Sequence, residues 1–277
     1  MSDDISKILR RFEFVPGEVN VRVVQGDDGR EKIQVRLDLG VIQLELDGRP
    51  DGTQINDCPS WLDFYRARQQ EYDRENPDSA PFTLEAEDCQ HLLREGIQYY
   101  QRYLSFWHLG RYELCARDTG RNLRLLAFVC EFARRPQDKL QFDQWRPYIT
   151  MMHARAAAAP LVELGDVAAA IKVIEAGIGG IEAFLQQYDQ SHRSDDCQEL
   201  VHLRAWRDQL SEEAATRQIE TDQEGQPQLA HPLTSMRGQL KAAVEAEQYE
   251  EAARLRDEIR SYGRSPLPPG PSDLLGG

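Results

Sequence analysis

Lysine is scarce in this chain: 5 lysines stand beside 28 arginines, and the 33 basic side chains fall short of the 47 acidic ones in 277 residues. The formal charge of -14 argues against generic nucleic-acid coating and against adhesion to anionic membranes, since both need clustered cations. No stretch approaches the roughly 18 uncharged residues that span a bilayer, and the opening Met-Ser-Asp-Asp-Ile-Ser-Lys has no apolar secretory core. The expectation is a soluble, cytoplasmic protein. The five cysteines (58, 89, 115, 130 and 197) never form a Cys-x-x-Cys pair, which fits reduced thiols and not a zinc ribbon. The six histidines show no metal-ligand spacing either, so neither metal nor cofactor is expected. No Ser, Cys or Thr stands in a nucleophile motif.

What is present divides by periodicity. Residues 1–56 read as an antiparallel meander: Val21 and Val23 alternate with Asn20 and Arg22, and Ile33, Val35, Leu37 and Leu39 with Gln34, Arg36 and Asp38. After Gly40 the phase slips by one residue to Ile42, Leu44 and Leu46, so a bulge or tight turn is expected there. The run Asp47-Gly48-Arg49-Pro50-Asp51-Gly52 ends the meander; it has the residues of a recognition loop, yet turn geometry explains each of them.

Residues 57–222 read as a helical-hairpin bundle of about six helices, starting near Ser60, Thr83 and Asp166 and stopping near Pro77, Gly110, Gly165 and Ser191. Pro147 suits a first helical turn, whereas Pro160 is expected to kink or shorten its helix. One pattern recurs: Leu109-Gly110-Arg111-Tyr112-x-x-Cys115, Leu164-Gly165-Asp166-Val167-x-x-Ala170 and Ala246-Glu247-Gln248-Tyr249-x-x-Ala252. A tight turn, a bulky residue opening the second helix and a small one a turn later suit tetratricopeptide-like hairpins, although the spacing is not that family's period of about 34. A linker is expected at 223–232 and a Pro-rich disordered tail at 264–277.

Between linker and tail lie residues 233–263. Leu240-x-x-Ala243-Val244 followed by Tyr249-Glu250-x-Ala252-Ala253-x-Leu255-Arg256-Asp257-x-Ile259-x-x-Tyr262 resembles the UVR motif of excision-repair subunits, activators of protein-arginine kinases and some Clp-type unfoldases. Tyr249 stands where Phe is usual, and Glu247-Gln248 replace the common Leu-Asp. The resemblance implies a helical hairpin that binds a partner. The residues agree: Met236, Leu240, Ala243 and Val244 make one apolar stripe, and Ala252, Leu255, Ile259 and Tyr262 another. About thirty residues lie below the size of a self-sufficient core, so apolar surface is left for another protein, another copy of the chain or the preceding helices. Leu240, Tyr249, Ala252, Leu255 and Ile259 are therefore the expected contact or hairpin core, with Arg256 and Asp257 at its edge. No phosphate-cradling Gly-x-x-x-x-Gly-Lys loop accompanies the motif.

A second candidate lies at 107–155, where nine basic and five acidic residues give +4 inside an acidic chain. Arg117, Arg121 and Arg124 share a helical face at i, i+4 and i+7 and suit an anion or acidic partner; the plainer reading is a solvated face balanced by neighbouring carboxylates. The aromatic group Tyr99, Tyr100, Tyr103, Phe106, Trp107 and Tyr112 reads as core before it reads as a base-stacking platform.

Together these features predict an α+β, mainly helical chain that acts as a non-enzymatic adaptor, binding a partner protein through the hairpin in DNA repair or in stress and protein quality control. The alternative is a nucleic-acid or damage-response factor using Arg117, Arg121 and Arg124. An active site too dispersed to see in sequence would show as a deep polar pocket with shifted carboxylates.

Overall fold

The computed structural model describes residues 4–224, with side chains to 216, and positions 240, 251, 254 and 255. A short helix precedes three strands and seven further α-helices: α1 (Ser6–Arg11), β1 (Asn20–Gln25), β2 (Glu31–Arg36), β3 (Val41–Glu45), α2 (Trp61–Glu75), α3 (Ala86–His108), α4 (Tyr112–Phe132), α5 (Pro136–Asp143), α6 (Arg146–Glu163), α7 (Val167–Gln187) and α8 (Gln198–Glu224). The chain is thus mainly helical, with the expected antiparallel sheet in the order β1-β2-β3. It divides into two compact units, Met1–Ile149 and Thr150–Gly277, the division falling within α6.

In the first unit the sheet register sets Val21 opposite Val35, Val23 opposite Ile33, Ile33 opposite Leu44 and Val35 opposite Ile42, so all six share one face. That face turns inward, with Ile33 fully buried and Leu44 4% exposed. Two residues depart from expectation. Strand β2 ends at Arg36, and the bond from Leu37 N to Gly40 O closes a two-residue turn that leaves Leu37 44% and Leu39 88% exposed. The phase slip at Gly40 is therefore a tight turn. Helix α1 was not legible: it buries no residue and has no apolar stripe long enough to give a periodic signal.

Helix α2 starts as read, with Ser60 accepting from Asp63 N at 3.1 Å. Helix α3 starts at Ala86 and not near Thr83, because residues before it are drawn into a bridge: Leu84 N donates to Phe132 O (2.8 Å) and Arg134 N to Leu84 O (3.1 Å). Glu85 caps α3 with Asp88 in a reciprocal box. The core of this unit lies between α3 and α4, where Leu92, Tyr103, Phe106, Leu125 and Val129 are fully buried. Tyr99 and Tyr100 are buried beside them, so that much of the aromatic group is core as read, each fully buried ring contributing on the order of 1.5–3 kcal/mol.

In the second unit, α6 runs through Pro160 but ends at Glu163, within a turn of it. Asp166 then caps α7, accepting from Ala169 N at 3.0 Å. Gly177 of α7 meets α6 so closely that a Cβ there would lie 2.6 Å from Ala154 Cβ. Ile174, Ile181, Leu200 and Leu203 are fully buried.

The first two recurring turns have one architecture. Arg111 N donates to Phe106 O and Gly110 N to Trp107 O, just as Asp166 N donates to Leu161 O and Gly165 N to Val162 O. This paired bonding ends a helix on a left-handed residue, and both glycines have positive φ, +70° and +81°. Cys115 and Ala170, the small residues a turn later, are fully buried. The third turn, at 246–249, lies outside the described residues.

Candidate functional site

The arginine face of α4 separates into three environments. Arg121 is 9% exposed, pairs with the fully buried carboxylate of Glu95 on α3, and holds its guanidinium 4.0 Å over the ring of Tyr99. Arg117 is more open; it donates to Asp118 Oδ1 (3.0 Å), Asp47 Oδ1 (2.7 Å) and Leu46 O (2.6 Å). Burial pulls the Arg117 pKa down, but Asp118 and Asp47 outweigh it and hold it above the usual value. Arg124 is exposed. The shared face read at i, i+4 and i+7 thus places only its two ends toward solvent, and the chain's own carboxylates occupy Arg117 and Arg121.

Sequence reasoning missed the hub of this region. Glu95 accepts from Trp61 N (2.8 Å) and Leu62 N (3.2 Å) at the start of α2, pairs with Arg121, and lies 3.5 Å from Arg49 Nη1. A carboxylate at a helix N-terminus satisfies donors that no helical carbonyl reaches. One turn pair along α3, Arg102 grips Asp118 of α4 through two bonds and donates to Glu45 O and Gly48 O. The available signal was positional: Glu95 and Arg102 sit at i and i+7 on the stripe that carries Leu92, Tyr99 and Phe106, where a charge is costly unless paired.

The same contacts settle the Asp47–Gly52 loop. Arg49 is 7% exposed and grips Asp51 with two bonds, at 3.1 and 2.6 Å, while Gly48 O also accepts from Tyr99 OH at 3.2 Å. Burial acts to raise the Asp51 pKa, yet Arg49, Thr53 N and Gln98 together lower it to about 2. The loop is the anchor of the sheet on α3.

Nucleophile chemistry finds little support in the thiols. Burial pushes Cys89 and Cys130 up to about 12, with nearby Asp138 and Asp143 adding to it. A cleft of about 280 Å³ in the second unit is lined by Leu185, Gln190, Arg193, Asp196, Cys197, Gln198 and Glu199. Its thiol is also raised by burial, and Cys197 Sγ donates to Glu199 Oε2 at 3.3 Å, the reverse of an activated thiolate.

In the C-terminal segment, Leu240 and Leu255 are helical and touch: Leu255 is 3% exposed and Leu240 packs against it. Glu251 and Arg254 are exposed and joined by two bonds of 2.9 and 2.6 Å. Tyr249, Ala252, Arg256, Asp257 and Ile259 lie outside the described residues, as do the tail and all of the linker beyond Glu224.

Among the described residues no group of His, Cys, Asp and Glu has metal-holding geometry, and no helix is long and apolar enough to cross a membrane. No curated protein and no solved structure matches the chain. A family model does match part of it: residues 232–265 match the UvrB/uvrC motif, UVR.

Proposed function

We propose that this chain is a non-enzymatic adaptor of a bacterial cytoplasm that binds a partner protein through its UVR segment, in DNA repair or in stress and protein quality control. The observation that carries the reading is the motif match at 232–265, a short segment that follows a small sheet and eight α-helices in the described residues before it. The contact between Leu240 and Leu255 supports a hairpin whose two helices pack on each other. Ala252 and Ile259, three before and four after Leu255, and Tyr249, three before Ala252, would then supply apolar contact to the partner, with Arg256 and Asp257 orienting it at the rim. With a net charge of -1 over residues 233–262 against -11 over 51–232, the segment suits binding by apolar fit on a carrier that stays dispersed by its charge.

Affinity capture from a bacterial lysate, with the full chain and with a chain lacking residues 232–277, tests this. Proteins retained by the full chain alone are expected; identical sets from both would sink the reading. The nucleic-acid alternative is weaker on one specific ground: its central residue, Arg121, is committed to Glu95.

A further inference from the structure

The outward face of the sheet carries two guanidiniums that found no carboxylate. Arg22 of β1 donates to Gln34 Oε1 (3.0 and 2.7 Å) and to Arg11 O (3.4 Å); Arg36 of β2 donates to Phe12 O (3.0 Å), Asp38 O and Gly40 O. All these acceptors are neutral, in a chain with 47 acidic side chains. The remaining contacts are aromatic: the Arg22 guanidinium lies 4.2 Å from the Phe12 ring centre and that of Arg36 lies 5.7 Å from Phe14. The register places Arg22 opposite Gln34 and Asn20 opposite Arg36, so the two arginines are diagonal neighbours on one face.

What lies on them is the stretch between α1 and β1. Phe12 and Phe14, two positions apart, each meet one arginine, while Glu13 between them is exposed. Helix α1 buries nothing, and Ile5, Ile8 and Val15 are 46%, 40% and 40% exposed, so little apolar burial holds this stretch. It is bound as a peptide ligand would be, through backbone carbonyls and two aromatic side chains at alternate positions.

The geometry points to the outer face of the sheet as a peptide-docking surface that Phe12-Glu13-Phe14 occupies in cis, and that in trans fits an extended acidic segment carrying two aromatic residues at i and i+2. Acidity follows from complementarity: the cis segment is preceded by Arg10 and Arg11, which offer Arg22 and Arg36 no counter-charge, whereas a carboxylate would. Occupation in cis benefits from an effective concentration of order millimolar, so a competing segment must bind better than the chain's own. This inference is independent of the C-terminal segment and of its partner.

The test uses the full chain with Phe12→Ala and Phe14→Ala, and a fluorescent peptide of residues 8–18 as the probe. The peptide is expected to bind the variant at least tenfold more tightly than the unaltered protein. Adding Arg22→Ala and Arg36→Ala should remove that gain, and a peptide with R10E and R11E should bind several-fold more tightly at low salt. Equal binding to both proteins, or none to either at millimolar peptide, overturns the inference. Should the variant fail to fold, hydrogen exchange on the unaltered protein decides: amides of residues 9–15 should exchange at least a hundredfold faster than those of β2, and protection equal to β2 would make the segment a fixed part of the fold.

Discussion

Arg102 Nε lies 2.6 Å from Asp118 Oδ2 and Nη2 lies 3.0 Å from Oδ1, with both side chains 1% exposed, so α3 and α4 are joined by an ion pair inside the core. Removing one partner leaves a buried charge uncompensated, which typically costs about 3–5 kcal/mol. Asp118→Ala is therefore expected to lower the urea midpoint sharply. The double change Asp118→Leu with Arg102→Met should recover much of that loss, although Glu45 O and Gly48 O lose their donor. A double variant no more stable than Asp118→Ala would show that the pair's charge is not what the core needs.

The three arginines of α4 should behave unequally. Arg121→Glu places a second carboxylate beside Glu95 and under Tyr99, and a loss of about 3 kcal/mol or more is expected. Arg124→Glu, on an exposed face, should stay within about 0.5 kcal/mol of the parent protein in denaturant unfolding. For this reason any loss of DNA or RNA binding by Arg121→Glu reports on folding, whereas Arg124→Glu with intact stability isolates the surface. A loss of binding in Arg124→Glu that weakens with salt would revive the nucleic-acid reading.

The contrast between those positions shows how far the sequence could be read. Strand alternation identified Val21, Val23, Ile33, Val35, Ile42 and Leu44 as one face, and turn chemistry located Gly40, Gly110 and Gly165, because each signal is local. Arg117, Arg121 and Arg124 look alike in sequence since helical spacing gives an azimuth, and what faces that azimuth depends on a helix some 26 residues earlier. Glu95 was overlooked for the same reason: its partners come from positions 49, 61, 62 and 121, which only the fold assembles. In the C-terminal segment the string was legible before any geometry, and the contact between Leu240 and Leu255 joins the two stripes read from it.

Helix α7 contains an internal control. At Gly177 a new methyl would meet Ala154 Cβ at 2.6 Å and Leu203 Cδ1 at 3.3 Å, so Gly177→Ala should overpack the unit at a cost of about 1–3 kcal/mol. At Gly179 nothing lies within 4 Å, and Gly179→Ala should stabilise by about 0.5–1 kcal/mol through reduced chain entropy. Thermal unfolding of the two variants should move in opposite directions; a shared sign would contradict the close approach of α6 and α7.

Thiol chemistry gives a pH test. Cys89 and Cys130 are pushed up to about 12 from an ordinary 9.0, chiefly by burial. A folded value above the unfolded one means that their contribution to stability is present below pH 9.0 and is lost as pH rises toward 12, because the unfolded chain ionises first. At pH 8 only about one thiol in ten thousand would be thiolate, so neither should react with a disulfide reagent until the protein unfolds. Prompt labelling of Cys89 in the native protein, read by mass spectrometry, would contradict this.

The C-terminal segment permits the most direct separation of fold from contact. Leu255 is 3% exposed against Leu240, so Leu255→Asp puts a charge into the apolar contact between them and should abolish capture of the partner. Glu251 and Arg254 form an exposed pair of the kind that contributes little, so Glu251→Gln should leave unfolding unchanged. If the partner docks by apolar fit, Glu251→Gln also leaves capture intact and insensitive to salt. Capture that falls with Glu251→Gln, and falls further as salt is raised, would instead make the polar rim the recognition surface and displace Tyr249, Ala252 and Ile259 from that role.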